Sequence, residues 1–280
     1  MAEVLYSENT LEQVAIQTFQ NVGYNYLCGD EIVRAPSDVI LYDRLTDALA
    51  KINSELPDAA IEEAVRVIKN LGTQSIFADN KQISDWFSGG LTVQFAIDGE
   101  VKSEPIKIFD DAVLSNNDFL VVNQFTIIEN GNNRRPDILV FINGLPIAIL
   151  ELKNPVDEDA DVQKAYTQLQ NYKTAIPSLF RYNVLMIASD GIDARVGALT
   201  AKWDRFTKWL SDDSDASINL NKLDDIINSL MRPDEIINFI QNFCVYEVDK
   251  EKYIKKIAAY HQFRAVIKAV EKAVAATTGD

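Results

Sequence analysis

Histidine is the scarcest useful residue here: 280 positions hold one, His261. That excludes His-rich zinc sites and leaves no ready partner for a Ser-His-Asp triad. Any chemistry then falls to carboxylates, lysines and a hard metal. Cysteine is nearly as scarce. Cys28 and Cys244 lie far apart and form no ligand pattern, which fits a reduced, cytoplasmic protein. No apolar run approaches the ~18 residues that read as a membrane span. The opening MAEVLYSENTLEQ lacks a basic segment followed by an apolar one, so no signal peptide is expected. Positive charge is also short: 27 Lys and Arg against 42 Asp and Glu give a net charge of −15. That counts against general affinity for nucleic acid. The shortage is uneven, because Lys164, Lys173, Arg181, Arg195, Lys202, Arg205 and Lys208 face only Asp190, Asp193 and Asp204 over the same stretch. A local basic face and a mixed, solvated surface both fit this distribution.

What the chain has is apolar residues, 47% of the total, enough for one large or two modest domains. Residues 8 to 21 carry apolar positions at helical spacing, with Gly23 as a stop. Ser37 and Asp38 are expected to cap a second helix running to Ile52. Pro57 and Asp58 open a third through Leu71, and 79 to 87 suggests a fourth. Strand signals follow: LTVQFAI, the short IKIF, the long FLVVNQFTII, and two apolar runs around Asn143-Gly144. A helix is expected from Asp159 to Ala175, then strands at NVLMIAS and DARVGAL, with DRFTKWL a strand or an edge. SDDSDAS then reads as an acidic linker, and only helical patterns follow, at 221–230, 233–243 and 249 to about 275. The expected division is an α+β unit with a mixed central sheet flanked by helices, 1–212, and a helical extension, 213–280.

The stretch RRPDILVFINGLPIAILELKNP, 134 to 155, sets Asp137, Glu151 and Lys153 among core strands. Unpaired charge there costs several kcal/mol. Glu151 and Lys153, two apart on a strand, share one face. A strict two-residue turn with regular pairing would set Asp137 opposite Leu150, on the wrong face. A three-residue loop, or a bulge, would set it opposite Glu151. Two converging carboxylates beside a lysine suit a hard cation such as Mg²⁺, for which Mn²⁺ is a surrogate. Lys153 would orient or deprotonate the attacking water, or stabilise developing charge. The plainer reading is a structural Glu151–Lys153 ion pair with Asp137 at a strand entrance.

Pro136-Asp137, thirteen residues, then Glu151-Leu152-Lys153 resembles the PD-(D/E)xK nuclease signature. With NNDFLVVNQFTI and SDGIDARVG, the wording resembles the N-terminal nuclease domain of the restriction subunit of type I restriction-modification enzymes, over most of residues 5 to 210. The resemblance implies an α/β/α-like restriction-endonuclease core that cleaves double-stranded DNA with Mg²⁺. Its metal ligands would be Asp137, Glu151 and a helix glutamate matching Glu12, with Glu8 as rival. Gln168 and Tyr172 match a Q-x-x-x-Y motif that contacts DNA or braces the site; an ordinary exposed helix is the bland alternative. Arg195 would contact phosphate, or instead pair with Asp193 or Asp190. AYHQFRAVIKAVEKA, 259 to 273, resembles the segment ahead of the family's ATP-driven motor, with Gln262 placed for adenine. No G-x-x-x-x-G-K-[ST] loop follows, so ATP binding is expected only of a longer subunit. Modification and specificity subunits are the implied partners, sequence recognition is theirs, and no membrane is involved. A non-catalytic docking or DNA-interaction module is the competing reading.

Overall fold

The computed structural model describes residues 7–72, 75–154, 161–210, 221–250 and 252–278. Helix α1, Glu8–Asn21, starts where the Ser7 hydroxyl accepts from the Thr10 N–H, and it buries Leu11, Glu12, Ala15, Ile16 and Phe19 on one stripe. The chain turns at Gly23 into a short strand, β1, Asn25–Cys28. Four residues are too few to show a period, and β1 exists because β4 offers it a parallel edge. Helix α2, Tyr42–Ile52, begins later than the Ser37–Asp38 signal implied. Those residues form a turn, Asp38 N–H to Ala35 carbonyl, and Leu41 stands at the helix start with no side-chain cap. Helices α3, Asp58–Lys69, and α4, Ile76–Gly89, follow as expected.

Strands β2, Leu91–Ile97, and β3, Glu100–Ile106, form a hairpin around Asp98 and Gly99, both with positive φ. Polar EVKSEPI was not expected as a strand, but β2 pairs with its whole length. Ile108 and Phe109, expected as a strand, pack into the core outside any strand. FLVVNQFTII breaks at Gln124, φ 54°, into β4, Phe119–Asn123, and β5, Ile127–Glu129, which pairs with β6, Asn132–Arg134.

Next come β7, Ile138–Ile142, β8, Leu145–Leu152, α5, Val162–Ala175, the short α6, Pro177–Phe180, β9, Leu185–Ser189, β10, Ala194–Gly197, and β11, Thr207–Lys208. The central sheet runs β1-β4-β7-β8-β9-β10-β11, with β1/β4 and β8/β9 parallel and the other pairs antiparallel. It is a mixed sheet flanked by helices, an α+β architecture. Every residue of β4, β7, β8 and β9 is buried, so both faces of the sheet centre are covered.

Beyond 221 the chain forms α7, Lys222–Ser229, α8, Pro233–Asn242, then a hairpin, β12, Cys244–Asp249, with β13, Lys252–Ile257, and finally α9, Tyr260–Thr278. The hairpin corrects the expectation of helix from 249 onward. CVYEVD and KYIKKI pair throughout, about a turn at Lys250, φ 55°. Helix α7 packs on α1, where the Thr18 hydroxyl donates to Asp224 Oδ1 at 3.0 Å, and the Tyr24 hydroxyl donates to the Met231 carbonyl at 2.8 Å. The acidic linker SDDSDAS lies outside the described residues. No helix among the described residues is long and apolar enough to cross a membrane.

Candidate active site

The β7–β8 turn is the tight one. Asn143 and Gly144 have φ of 52° and 73°, and Ile142 pairs with Leu145. Glycine is required at 144, because a Cβ there would meet the Leu41 carbonyl oxygen at 2.4 Å. Asn143 is buried and bonded on both ends of its amide, to the Ile108 carbonyl, Asn117 and the Asp118 N–H. The register then slips. Phe141 pairs with Pro146 but Val140 pairs with Ala148, leaving Ile147 as the extra residue of a bulge. Ile138 therefore faces Leu150, and Asp137, one step on, comes level with Glu151. Of the two devices expected from the sequence, the bulge is the one used.

Asp137 Oδ2 accepts the Leu152 N–H at 2.6 Å. Lys153 Nζ lies 2.7 Å from Glu151 Oε1, 2.9 Å from the Leu152 carbonyl, and 3.9 Å from Glu8 Oε1. Glu151 is fully buried, and its Oε2 has no hydrogen-bond partner among the described residues. Burial, then repulsion from Asp137, pushes the Glu151 carboxyl up to about 8; Lys153 and Tyr172 only partly oppose this. Burial likewise raises Asp137 to about 6, with Glu8 and Glu12 adding to it and the Leu152 N–H and Lys153 opposing. Burial alone would lower Lys153, but Glu151, Asp137 and Glu8 outweigh it and the net shift is upward. The lysine thus stays a cation beside two carboxylates that repel each other, the pattern of a shared site.

Glu12 is buried on α1, and its Oε1 accepts from Asn123 Nδ2 at 2.6 Å. The Tyr26 hydroxyl donates to the other end of that amide, Oδ1, at 3.0 Å. Glu8 is exposed one turn earlier. Both glutamates line, with Asp137, Gln124 and Arg135, an open cleft of about 300 Å³. Among the described residues, no group of three His, Cys, Asp or Glu side chains is gathered to hold an ion. What the structure does bring level is the Asp137–Glu151 pair, with Glu12 in the same cleft as Asp137. Asn123 and Tyr26 were not singled out in the sequence; a lone amide ending the apolar run FLVVN was the available signal.

Tyr172 is buried on α5, and Gln168 Nε2 donates to its hydroxyl at 2.7 Å. Burial and the nearby Glu151 raise the Tyr172 phenol, so the tyrosine stays protonated facing the site. Strand register sets Arg195, Ala188 and Glu151 in one row across the sheet, on one face. Arg195 is nonetheless engaged: Nε lies 3.1 Å from Asp193 Oδ2 and the guanidinium stacks over Trp203 at 4.5 Å. The ion pair with Asp193, one of the two alternatives, is thus present. Gln262, in the first turn of α9, is exposed and accepts the Ala259 N–H.

The family model described as type I restriction enzyme R protein N terminus matches residues 5–205. The chain is 36% identical to the type I restriction enzyme HindI endonuclease subunit of Haemophilus influenzae, over 98% of this chain and 27% of that protein. It is 24% identical to the EcoprrI endonuclease subunit of Escherichia coli, over 88% of this chain and 77% of that one. It is also 31% identical to a Methanocaldococcus jannaschii protein bearing the MjaIXP endonuclease-subunit name, over 98% of this chain and 28% of that protein. The chain thus spans little more than a quarter of two of these relatives. With its mixed sheet, its bulged hairpin and this match, the chain belongs to the family of type I restriction enzyme R protein N-termini.

Proposed function

We propose that this chain is a Mg²⁺-dependent endonuclease domain that hydrolyses phosphodiester bonds of double-stranded DNA. The carrying observation is the pairing of Asp137 with Glu151 across the bulge, beside Lys153. The donors are carboxylate oxygens, which suit a hard cation, and the unpartnered Glu151 Oε2 is a buried oxygen that such an ion would satisfy. Asp137 and Glu151 would hold it, with Glu12 as a further acidic group; when bound it would polarise a phosphoryl oxygen and acidify water. Lys153 keeps its proton and stands where negative charge would develop. Tyr172, braced by Gln168, limits the freedom of the Glu151 carboxylate.

In the longer subunit that relatives of this length imply, residues 1–212 would cut and 213–280 would lead to an ATP-dependent motor, with Gln262 near its nucleotide. Specificity and modification subunits would choose the DNA, and a cytoplasmic location follows from that role. Calorimetric titration of Mn²⁺ into the wild-type chain and into Asp137→Ala tests the metal assignment. Binding lost in the variant, with circular dichroism unchanged, supports it; no binding to the wild type, with or without a non-cleavable duplex, refutes it. A docking role draws support from α9, where Val266, Val270 and Val274 form an exposed stripe at four-residue spacing.

A further inference from the structure

The cleft in front of Asp137 sets three carboxylates, Glu8, Glu12 and Asp137, against one guanidinium, Arg135. DNA is an anion, so something there must receive it. Arg135 is exposed and forms neither an ion pair nor a hydrogen bond among the described residues, although it shares a cleft with those acids. Its sequence neighbour and the arginine beside the Gln124–Phe125 segment are committed: Arg134 donates to the Asn133 carbonyl, and Arg34 donates to the Asp38 and Thr126 carbonyls and lies over Phe125. The proline that follows Arg135 restricts its backbone to extended conformations. The guanidinium is thus presented from a restricted backbone and is engaged by no other described side chain.

The wall around it is similarly fixed. Gln124 holds φ of 54°, a left-handed conformation that a non-glycine residue seldom adopts. Gly29 packs against this kink so closely that a Cβ there would lie 2.6 Å from the Gln124 carbonyl oxygen and 2.7 Å from Phe125 Cα. The Arg34 contact to the Thr126 carbonyl clamps the next turn of chain. Strain held by surrounding structure clusters at functional sites. The Gln124 amide also makes no hydrogen bond among the described residues, and it lines the same cleft.

We propose that Arg135 and Gln124 are the backbone anchor of this cleft, the guanidinium taking a phosphate of the DNA strand that passes Asp137 and the amide contacting the same strand. This rests on the nuclease reading and adds to it the groups that hold the substrate. A planar guanidinium suits the task, since it grips phosphate oxygens in pairs and stays charged at every working pH. It also explains how an acidic protein receives DNA: few cations, one of them unpaired among the described residues at the lip of the cleft.

The test is a fluorescence-anisotropy titration of a short duplex with the 280-residue chain, in Ca²⁺ to prevent cleavage and over a salt series. Arg135→Ala should bind about tenfold more weakly and lower the salt slope by about one. Arg135→Lys, which keeps the charge and loses the fork, should fall between, and Gln124→Ala should lose severalfold. Arg205→Ala, at an exposed position paired with Asp204, should bind as wild type. Circular dichroism confirms that each variant is folded. Wild-type affinity in Arg135→Ala, an equal loss in Arg205→Ala, or no binding by the wild type at low salt would overturn the anchor. The Mn²⁺ titration reads the nuclease assignment separately: an Arg135 effect without metal binding would leave a DNA anchor on a chain that does not cut.

Discussion

Asp137 stands level with Glu151 because β8 carries one residue, Ile147, that β7 does not match. If Ile147 were instead paired regularly with Val140, the tight turn at Asn143-Gly144 would place Leu150 opposite Asp137, and the two carboxylates would point to opposite faces. The site is therefore a product of register as much as of residue type.

The turn that starts this register is expected to be intolerant. Gly144→Ala must place a Cβ 2.4 Å from the Leu41 carbonyl oxygen at φ 73°. A loss of about 2 kcal/mol or more is expected, from strain plus the clash. Urea unfolding monitored by circular dichroism measures it; an unchanged midpoint would mean that α2 and the turn move apart freely.

Lys153 and Glu151 should behave as a coupled pair. Lys153→Ala leaves a fully buried carboxylate without its cation and should cost about 3 kcal/mol. Lys153→Ala combined with Glu151→Gln should cost clearly less than the sum of the single changes. Additive losses in this double-mutant cycle would show that the 2.7 Å contact carries no coupling.

Tyr172→Phe removes one hydroxyl that accepts from Gln168 and faces Glu151. The fold should survive, with a stability loss near 1 kcal/mol for the lost hydrogen bond. Under the nuclease reading, cleavage by the assembled enzyme should fall further than stability does. A variant that loses melting temperature but no activity would make Tyr172 a core residue only.

Lys255 gives a pH signature of its own, on a residue that pairs with neither Asp137 nor Glu151 among the described residues. It is buried, donates to Asn80 Oδ1 at 2.9 Å and to the Asn183 carbonyl at 3.0 Å, and burial lowers its pKa to about 8 from the ordinary 10.5. Between those values the unfolded chain binds more protons than the folded one, so this residue's contribution to stability rises as pH climbs from about 8 to 10.5. Below about 8 the cost of burying the charge is present in full. Lys255→Met should remove that rise, read as the difference between wild-type and variant denaturation midpoints across the range. Parallel curves for the two proteins would place the lysine's charge in solvent contact.

Composition and spacing alone determined much of this protein. One histidine restricted the chemistry, the order of elements announced a mixed sheet, and Pro136-Asp137 with Glu151 and Lys153 pointed to the candidate site. Those features are local, so they survive in a linear reading. The tertiary structure decided what depends on partners distant in sequence. β1 and β3 carry no strong pattern and form because a neighbouring strand offers its edge. Arg195 carries a charge suited to phosphate, but Asp193 and Trp203 occupy it. The choice of a bulge over a longer turn, the amide of Asn123 on Glu12, and the exposed Arg135 in one cleft with a kinked Gln124 all arise from side chains meeting across the fold. No local period encodes such meetings, because burial and hydrogen bonding are settled only when the elements pack.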